Sequence, residues 1–238
     1  MDVESIKLNT LARLPTTING IEIFPLTLKE IILMGHGSYI QALNLVTLDQ
    51  EQLFGEEAAR HIPADFSIAD VIFLSNQAEL IHQYTKSLAL FLRTDIEYHR
   101  EQGLSIGGSI VSSEAFQQII HVIKIQNCIR SAEEGAFNPL NEQARKIKEQ
   151  MLRNQKKIHQ LKQEDTDESL NFSDLISILC SRANGLNLFN VFDLNMFQFH
   201  NQFSRMKLLD DYEMNIQALL HGADSKQIQF KHWISKLT

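Results

Sequence analysis

Nine histidines are the first residues that could do chemistry: His36, His61, His82, His99, His121, His159, His200, His221 and His232. None stands in an HxxxH, HExxH or Cys–His spacing. A zinc site needs three or four ligands converging at bonding distance, so these side chains read as surface or helix-end residues. The two cysteines, Cys128 and Cys180, sit in separate apolar helical patterns. A single distant pair makes neither a disulfide framework nor a metal motif. Reduced, buried thiols are expected, which suits a cytoplasmic compartment. Adjacent acids occur at Glu56/Glu57, Glu133/Glu134 and Asp210/Asp211. Neighbours on a helix point in different directions, whereas carboxylate chemistry needs two acids facing one another with separated pKa values. Gly103-x-x-x-Gly107-Gly108-Ser109 lacks the lysine of a phosphate-binding loop and does not match G-x-G-x-x-G. Gly35-His36-Gly37-Ser38 is not the G-x-S-x-G of a nucleophile elbow. The chain is therefore expected to be non-enzymatic, with no catalytic residue, metal or cofactor.

Binding chemistry is better represented. The net charge of −7 conceals an asymmetry: residues 1–140 carry −8, residues 141–163 carry +5, and residues 164–238 carry −4. The basic middle holds Arg145, Lys146, Lys148, Arg153, Lys156, Lys157 and Lys162. Phosphate contacts from such a segment would give salt-sensitive, sequence-independent binding. It has no interleaved aromatics on which bases could stack, and the rest of the chain repels nucleic acid. A solvated connector or a dock for an acidic partner is the preferred reading, with Arg153, Lys156 and Lys157 as its candidate contacts.

The elements that would position these residues can be traced along the chain. Of 238 residues, 44% are apolar, enough for a sizeable core. Asn19-Gly20 between two β-prone runs predicts a hairpin with a type I′ turn, closed by Pro25. Thr27-Leu28-Lys29-Glu30 has capping-box form. Ile31–Met34 follows, then Gly35 and Gly37 end or bend the helix. Ser38–Leu48 resumes it with Tyr39, Leu43 and Val46 on one side. The stretch 49–65 is mixed, with a break at Pro63. Ser67–Thr94 is helix-rich, and Val71, Ile72, Phe73, Leu74, Leu80, Ile81, Leu88, Leu90 and Phe91 suggest central burial. A second hairpin is expected from Asp95–His99 and Ser109–Val111, punctuated by Gly103, Gly107 and Gly108. Ser112 or Ser113 caps a helix through Phe116, Ile119, Ile120, Ile123 and Ile125.

Residues 141–168 favour helix by composition but lack an apolar face. Asn171 or Ser173 then caps a helix through Leu175, Ile176, Ile178 and Leu179, with Gly185 at its end. The expected organisation is an α+β domain at 1–140, a basic helical connector at 141–168 and a helical domain at 169–238. The fold class is mainly α with a minor β component. No run approaches the roughly 18 apolar residues of a membrane span, and the polar start lacks a signal-peptide pattern, so a soluble protein without membrane contact is expected.

The last fifty residues hold the longest pattern. Asp193 or Asn195 caps a helix whose stripe reads Met196, Phe199, Phe203, Met206, Leu209, Tyr212, Ile216 and Leu219. An apolar helical face must be buried against something, so the stripe is expected to face the protein's own core. Gly222 stops the helix. Outside the stripe lie the polar turn with Asp224, Ser225 and Lys226, and the ending with His232 and Trp233. These five are the candidate partner contacts that packing of the helix leaves unexplained.

Four stretches, in order, carry a likeness: PLTLKEIILMGHGSYIQALNLVTLD; IEYHREQGLSIGGSIVSSEAFQQIIHVIKIQN; the basic connector before LISILCSRANGLN; and VFDLNMFQFHNQFSRMKLLDDYEMNIQALLHGADSKQIQFKHWISKL. The chain resembles proteins of tailed phages of Gram-positive hosts described as tail assembly chaperones or tail-associated proteins. The resemblance implies a morphogenesis factor that binds other phage tail proteins, the tube or tape-measure subunit, in the host cytoplasm. It transfers no catalytic residue. The alternatives are a structural tail or baseplate component of the virion and a nucleic-acid-binding regulator acting through residues 145–162, and a homo-oligomer is a further expected partner arrangement.

Overall fold

The computed structural model describes residues 2–48, 67–75, 77–99, 102–129, 170–222 and 232–237. The expectations placed on 49–65 and 141–168 lie outside them. The architecture is α+β: helices predominate, accompanied by antiparallel sheets of two and three strands. The chain divides into two compact units, Met1–Ile129 with Asn187–Thr238, and Arg130–Leu186.

The first unit opens with helix α1 (Val3–Leu11) and the hairpin of β1 (Thr16–Ile18) and β2 (Ile21–Ile23). Asn19 and Gly20 take φ of 49° and 85°, the two left-handed centres that a type I′ turn demands. The register pairs Thr16 with Ile23, Thr17 with Glu22 and Ile18 with Ile21. Thr16, Ile18, Ile21 and Ile23 are buried, while Thr17 and Glu22 face solvent. Strand period 2 thus gives the hairpin one core face and one wet face.

Thr27 then starts helix α2 (Leu28–Met34) with the expected capping box: its side chain accepts from the Glu30 N–H, and the Glu30 carboxylate accepts from the Thr27 N–H at 2.8 Å. Gly35, at φ 90°, separates α2 from α3 (His36–Thr47). Gly37 lies inside α3 rather than at the break, because the single left-handed residue already turns the chain. Tyr39, Leu43 and Val46 are buried on one side of α3, as their spacing predicts.

Helices α4 (Ile68–Leu74) and α5 (Ala78–Leu92) fill the helix-rich region. Ile72, Leu88 and Phe91 are buried, but Leu74 is 45% exposed. Two residues on from Ile72, it lies about 200° round the helix, so a seven-residue helix covered on one side leaves it out. Strands β3 (Ile96–His99), β4 (Gly103–Ile106) and β5 (Ser109–Ile110) form a three-stranded meander. The expected hairpin joined the first and last of these. Instead β4 pairs with both, since Leu104, Ser105 and Ile106 are buried and Gly107-Gly108 supplies the second tight turn. Ser112, not Ser113, caps α6 (Ser113–Gln126), accepting from the Ala115 N–H. Phe116, Ile119, Ile120 and Ile123 are buried along it, each worth about 1.5–3 kcal/mol of apolar transfer; Ile125 is half-buried.

The second unit is described from residue 170 to 186. It contains α7 (Phe172–Arg182), started by a capping box of Asn171 with Asp174. Ile176 and Leu179 are buried; Leu175 is half-buried and Ile178 exposed. The helix ends at Ala183, and Gly185 takes its positive φ beyond that cap. The chain then re-enters the first unit through a 3-10 turn (Val191–Asp193) and the 25-residue helix α8 (Met196–Leu220).

Candidate partner-binding surfaces

Helix α8 is held at its start by a dense polar joint. Asn195 caps it, accepting from the Gln198 N–H at 2.8 Å. The same side chain, 1% exposed, donates to the Thr10 carbonyl at 2.7 Å. Gln198 closes the capping box by accepting from the Asn195 N–H, and donates to the Leu11 carbonyl at 2.8 Å. The Leu28 N–H donates to the Leu194 carbonyl at 2.7 Å, and Thr27 bridges to Asn195. Two helix starts, α2 and α8, and one helix end, α1, are thereby locked together. Orphan carbonyls at the end of α1 and the first N–H of α2 are satisfied by the residues that open α8.

Beyond the joint the stripe is buried only in part. Met196, Phe199 and Met206 are buried. Phe203, Tyr212, Ile216 and Leu219 are half-buried. Leu209 is 37% exposed while Leu208 is buried in its place. Met206 and Leu208 stand about 200° apart, so the helix is covered from two sides there, which a single stripe does not anticipate.

The residues after the helix return to it. Arg205 donates from Nη1 to the carbonyls of Trp233 and Ser235, both at 2.8 Å. The His232 ring meets Tyr212 edge-on at 5.1 Å and stacks against Trp233 at 5.9 Å. Trp233 remains 42% exposed and Ile234 66%. Of the sequence-predicted contacts, His232 and Trp233 are thus brought together on α8. Arg153, Lys156, Lys157, Asp224, Ser225 and Lys226 lie outside the described residues. Arg205 was not anticipated: an arginine within an apolar pattern gives no sign that it will grip backbone carbonyls. Exposed apolar residues also cluster by sequence before the 3-10 turn, where Leu188 is exposed and Phe189 is 97% exposed.

A second surface is a cleft of about 310 Å³ lined by Glu22, Phe24, Arg93, Ile106, Gly107 and Ser109, among others. Arg93 ends α5 in the left-handed region at φ 55°. Its guanidinium pairs with Glu30 at 2.7 Å and lies 5.3 Å over the Phe24 ring. Gly107 is needed here twice over: its φ is positive, and an added Cβ would come within 2.9 Å of the Thr94 hydroxyl.

The nucleophile candidates are not activated. Burial pushes the Cys128 thiol up to about 11, with Lys7 opposing weakly, and burial also raises Cys180. A reactive thiol needs the opposite shift. The Tyr39 phenol is raised too, by burial and then by Cys128; its hydroxyl donates to Asn127 Oδ1 at 2.7 Å, which ties α3 to the end of α6. Among the described residues no three His, Cys, Asp or Glu side chains converge as a metal site, and no helix is long and apolar enough to cross a membrane.

No curated protein and no solved structure matches the chain. Residues 162–238, less than half of it, match the family described as the YomV second domain. YomV is a Bacillus phage-region protein, so this third of the chain is similar to a domain of a phage-region protein. The matched span contains Arg205, the polar turn and the His232–Trp233 ending, whereas Arg153, Lys156 and Lys157 precede it.

Proposed function

We propose that the chain is a non-enzymatic phage morphogenesis factor: a tail assembly chaperone that binds the tube or tape-measure subunit in the host cytoplasm. The observation that carries this reading is apolar and aromatic surface left open within the phage-associated span, at Phe189, Met214, Leu220, Trp233 and Ile234. Exposed apolar side chains mark a partner surface where they adjoin one another. Met and Phe also suit surfaces that adapt to varied or unfolded clients. The reading assigns no reaction to the protein, and its partners are proteins rather than nucleic acid or membrane.

Two measurements test it. Mass spectrometry of purified particles should find the chain absent or trace, and a pull-down from infected cells should recover the tube or tape-measure subunit. Abundant chain in mature particles would make it a structural tail or baseplate component instead.

A further inference from the structure

The first hairpin leaves one backbone position on each strand unused, Thr17 on β1 and Glu22 on β2. With Asn19-Gly20 as its two-residue loop, Ile18 and Ile21 form the hydrogen-bonded pair next to the turn, and Thr16 and Ile23 form the next. Glu22, opposite Thr17, falls between them at the non-hydrogen-bonded pair. Its N–H and C=O therefore point away from β1, along the outer edge of the hairpin. No hydrogen bond among the described residues uses them.

That edge borders the cleft shared with Arg93, Gly107 and Ser109. A side chain at Gly20 would meet nothing within 4 Å, so the end of the cleft beside the hairpin turn is not crowded. The Glu22 side chain is exposed and has no ion pair among the described residues. Arg93 is already neutralised by Glu30. The cleft thus offers an unpaired main-chain donor, an unpaired main-chain acceptor and one uncompensated carboxylate. A strand laid about 4.8 Å from β2 uses all three.

We infer that the outer edge of β2 docks an extended polypeptide segment as a third strand, with Glu22 N–H and C=O pairing its backbone and a lysine or arginine standing opposite the Glu22 carboxylate. Strand addition of this kind takes affinity from main-chain hydrogen bonds and specificity from alternate side chains. Opposite charges directly across the pair fix the register. The inference deepens the assembly-factor reading and rests on it only for the origin of the segment: a client subunit held in extended form before it folds.

The test is selection of a random-peptide display library on the full-length chain, followed by affinity measurement on variants. Enriched peptides should alternate apolar and polar residues and carry a basic one. Glu22→Pro removes the outward N–H without removing a hairpin hydrogen bond; it should weaken the selected peptides by about tenfold or more with unchanged circular dichroism and Tm. Glu22→Lys keeps the backbone and should shift selection toward acidic peptides. Should Glu22→Pro fail to fold, the Glu22→Lys selection and the amide chemical shift of Glu22 on peptide addition decide. Failure to enrich any peptide, full binding by Glu22→Pro, or no change of preference in Glu22→Lys would overturn the inference. Random peptides require no phage client, so these outcomes stand apart from those of the particle analysis and pull-down.

Discussion

The two ends of helix α8 are built from the same kinds of residue and treated differently. At its start, Asn195, Met196 and Phe199 are buried, and three hydrogen-bonding groups reach across to Thr10, Leu11 and Leu28. At its far end, Met214 and Leu220 are exposed, and the helix closes at His221 with bonds to its own last turn. Between them Arg205 holds residues 233–235 by backbone carbonyls alone. Apolar pattern is continuous along the helix, but burial follows the number of other elements that arrive. The start is a structural joint, and the far end carries exposed apolar side chains.

The largest effect should come from the joint. Phe199→Ala should cost about 3–5 kcal/mol in urea unfolding, the usual range for a large buried aromatic. An effect below about 1 kcal/mol would show that the joint is less packed than its burial implies. Next, Asn195→Ala should cost about 2–3 kcal/mol, since it removes a helix cap and leaves the buried Thr10 carbonyl without its donor. Asn195→Ser should restore about 1 kcal/mol of that by renewing the cap while still failing to reach Thr10. Equal losses for the two variants would put the whole effect on the Thr10 contact.

Arg205→Ala should change global stability by less than about 1 kcal/mol, because the groups it holds are largely exposed. It should nevertheless release Trp233, the single tryptophan of the chain, and its emission should shift to the red. An unshifted spectrum would mean that the aromatic contact of His232 with Tyr212 holds the segment unaided. Smallest of all, Leu220→Gln should leave the unfolding free energy within the scatter of about 0.5 kcal/mol typical of surface sites, yet weaken client capture in the pull-down. Full capture would move the partner surface away from the far end of α8.

Much of the local architecture was legible because its causes are local. A hydroxyl or amide followed three residues later by an acid or amide marks the helix starts at Thr27, Asn171 and Asn195, and Ser112 caps through its hydroxyl alone. Asn19-Gly20 likewise specifies its turn through the φ values those residues tolerate. Strand β4 was missed because glycines bracket it, so its apolar residues looked like pieces between turns; pairing on both sides makes it the centre of the sheet. The exchange of Leu209 for Leu208 was missed because a stripe assumes one covering surface. Of the candidate partner contacts, only His232 and Trp233 fall where their surroundings can be described. Their grip by Arg205 depends on residues 28 and 30 positions away.

By itself, the sequence determined to within a residue or two where the side-chain-capped helices begin, which hairpin turn forms, which faces are apolar and that the fold is α+β; helix α1, which has no side-chain cap, was not among them. Those properties follow from dihedral preferences, capping chemistry and periodicity over a few residues. Only the tertiary structure decided that Asn195 serves two helices at once, that Glu22 is left with an unpaired edge, and that the same apolar stripe is core at one end and only half-buried at the other. Each of these depends on which distant segments meet, and a side chain's burial belongs to that meeting rather than to its neighbours along the chain.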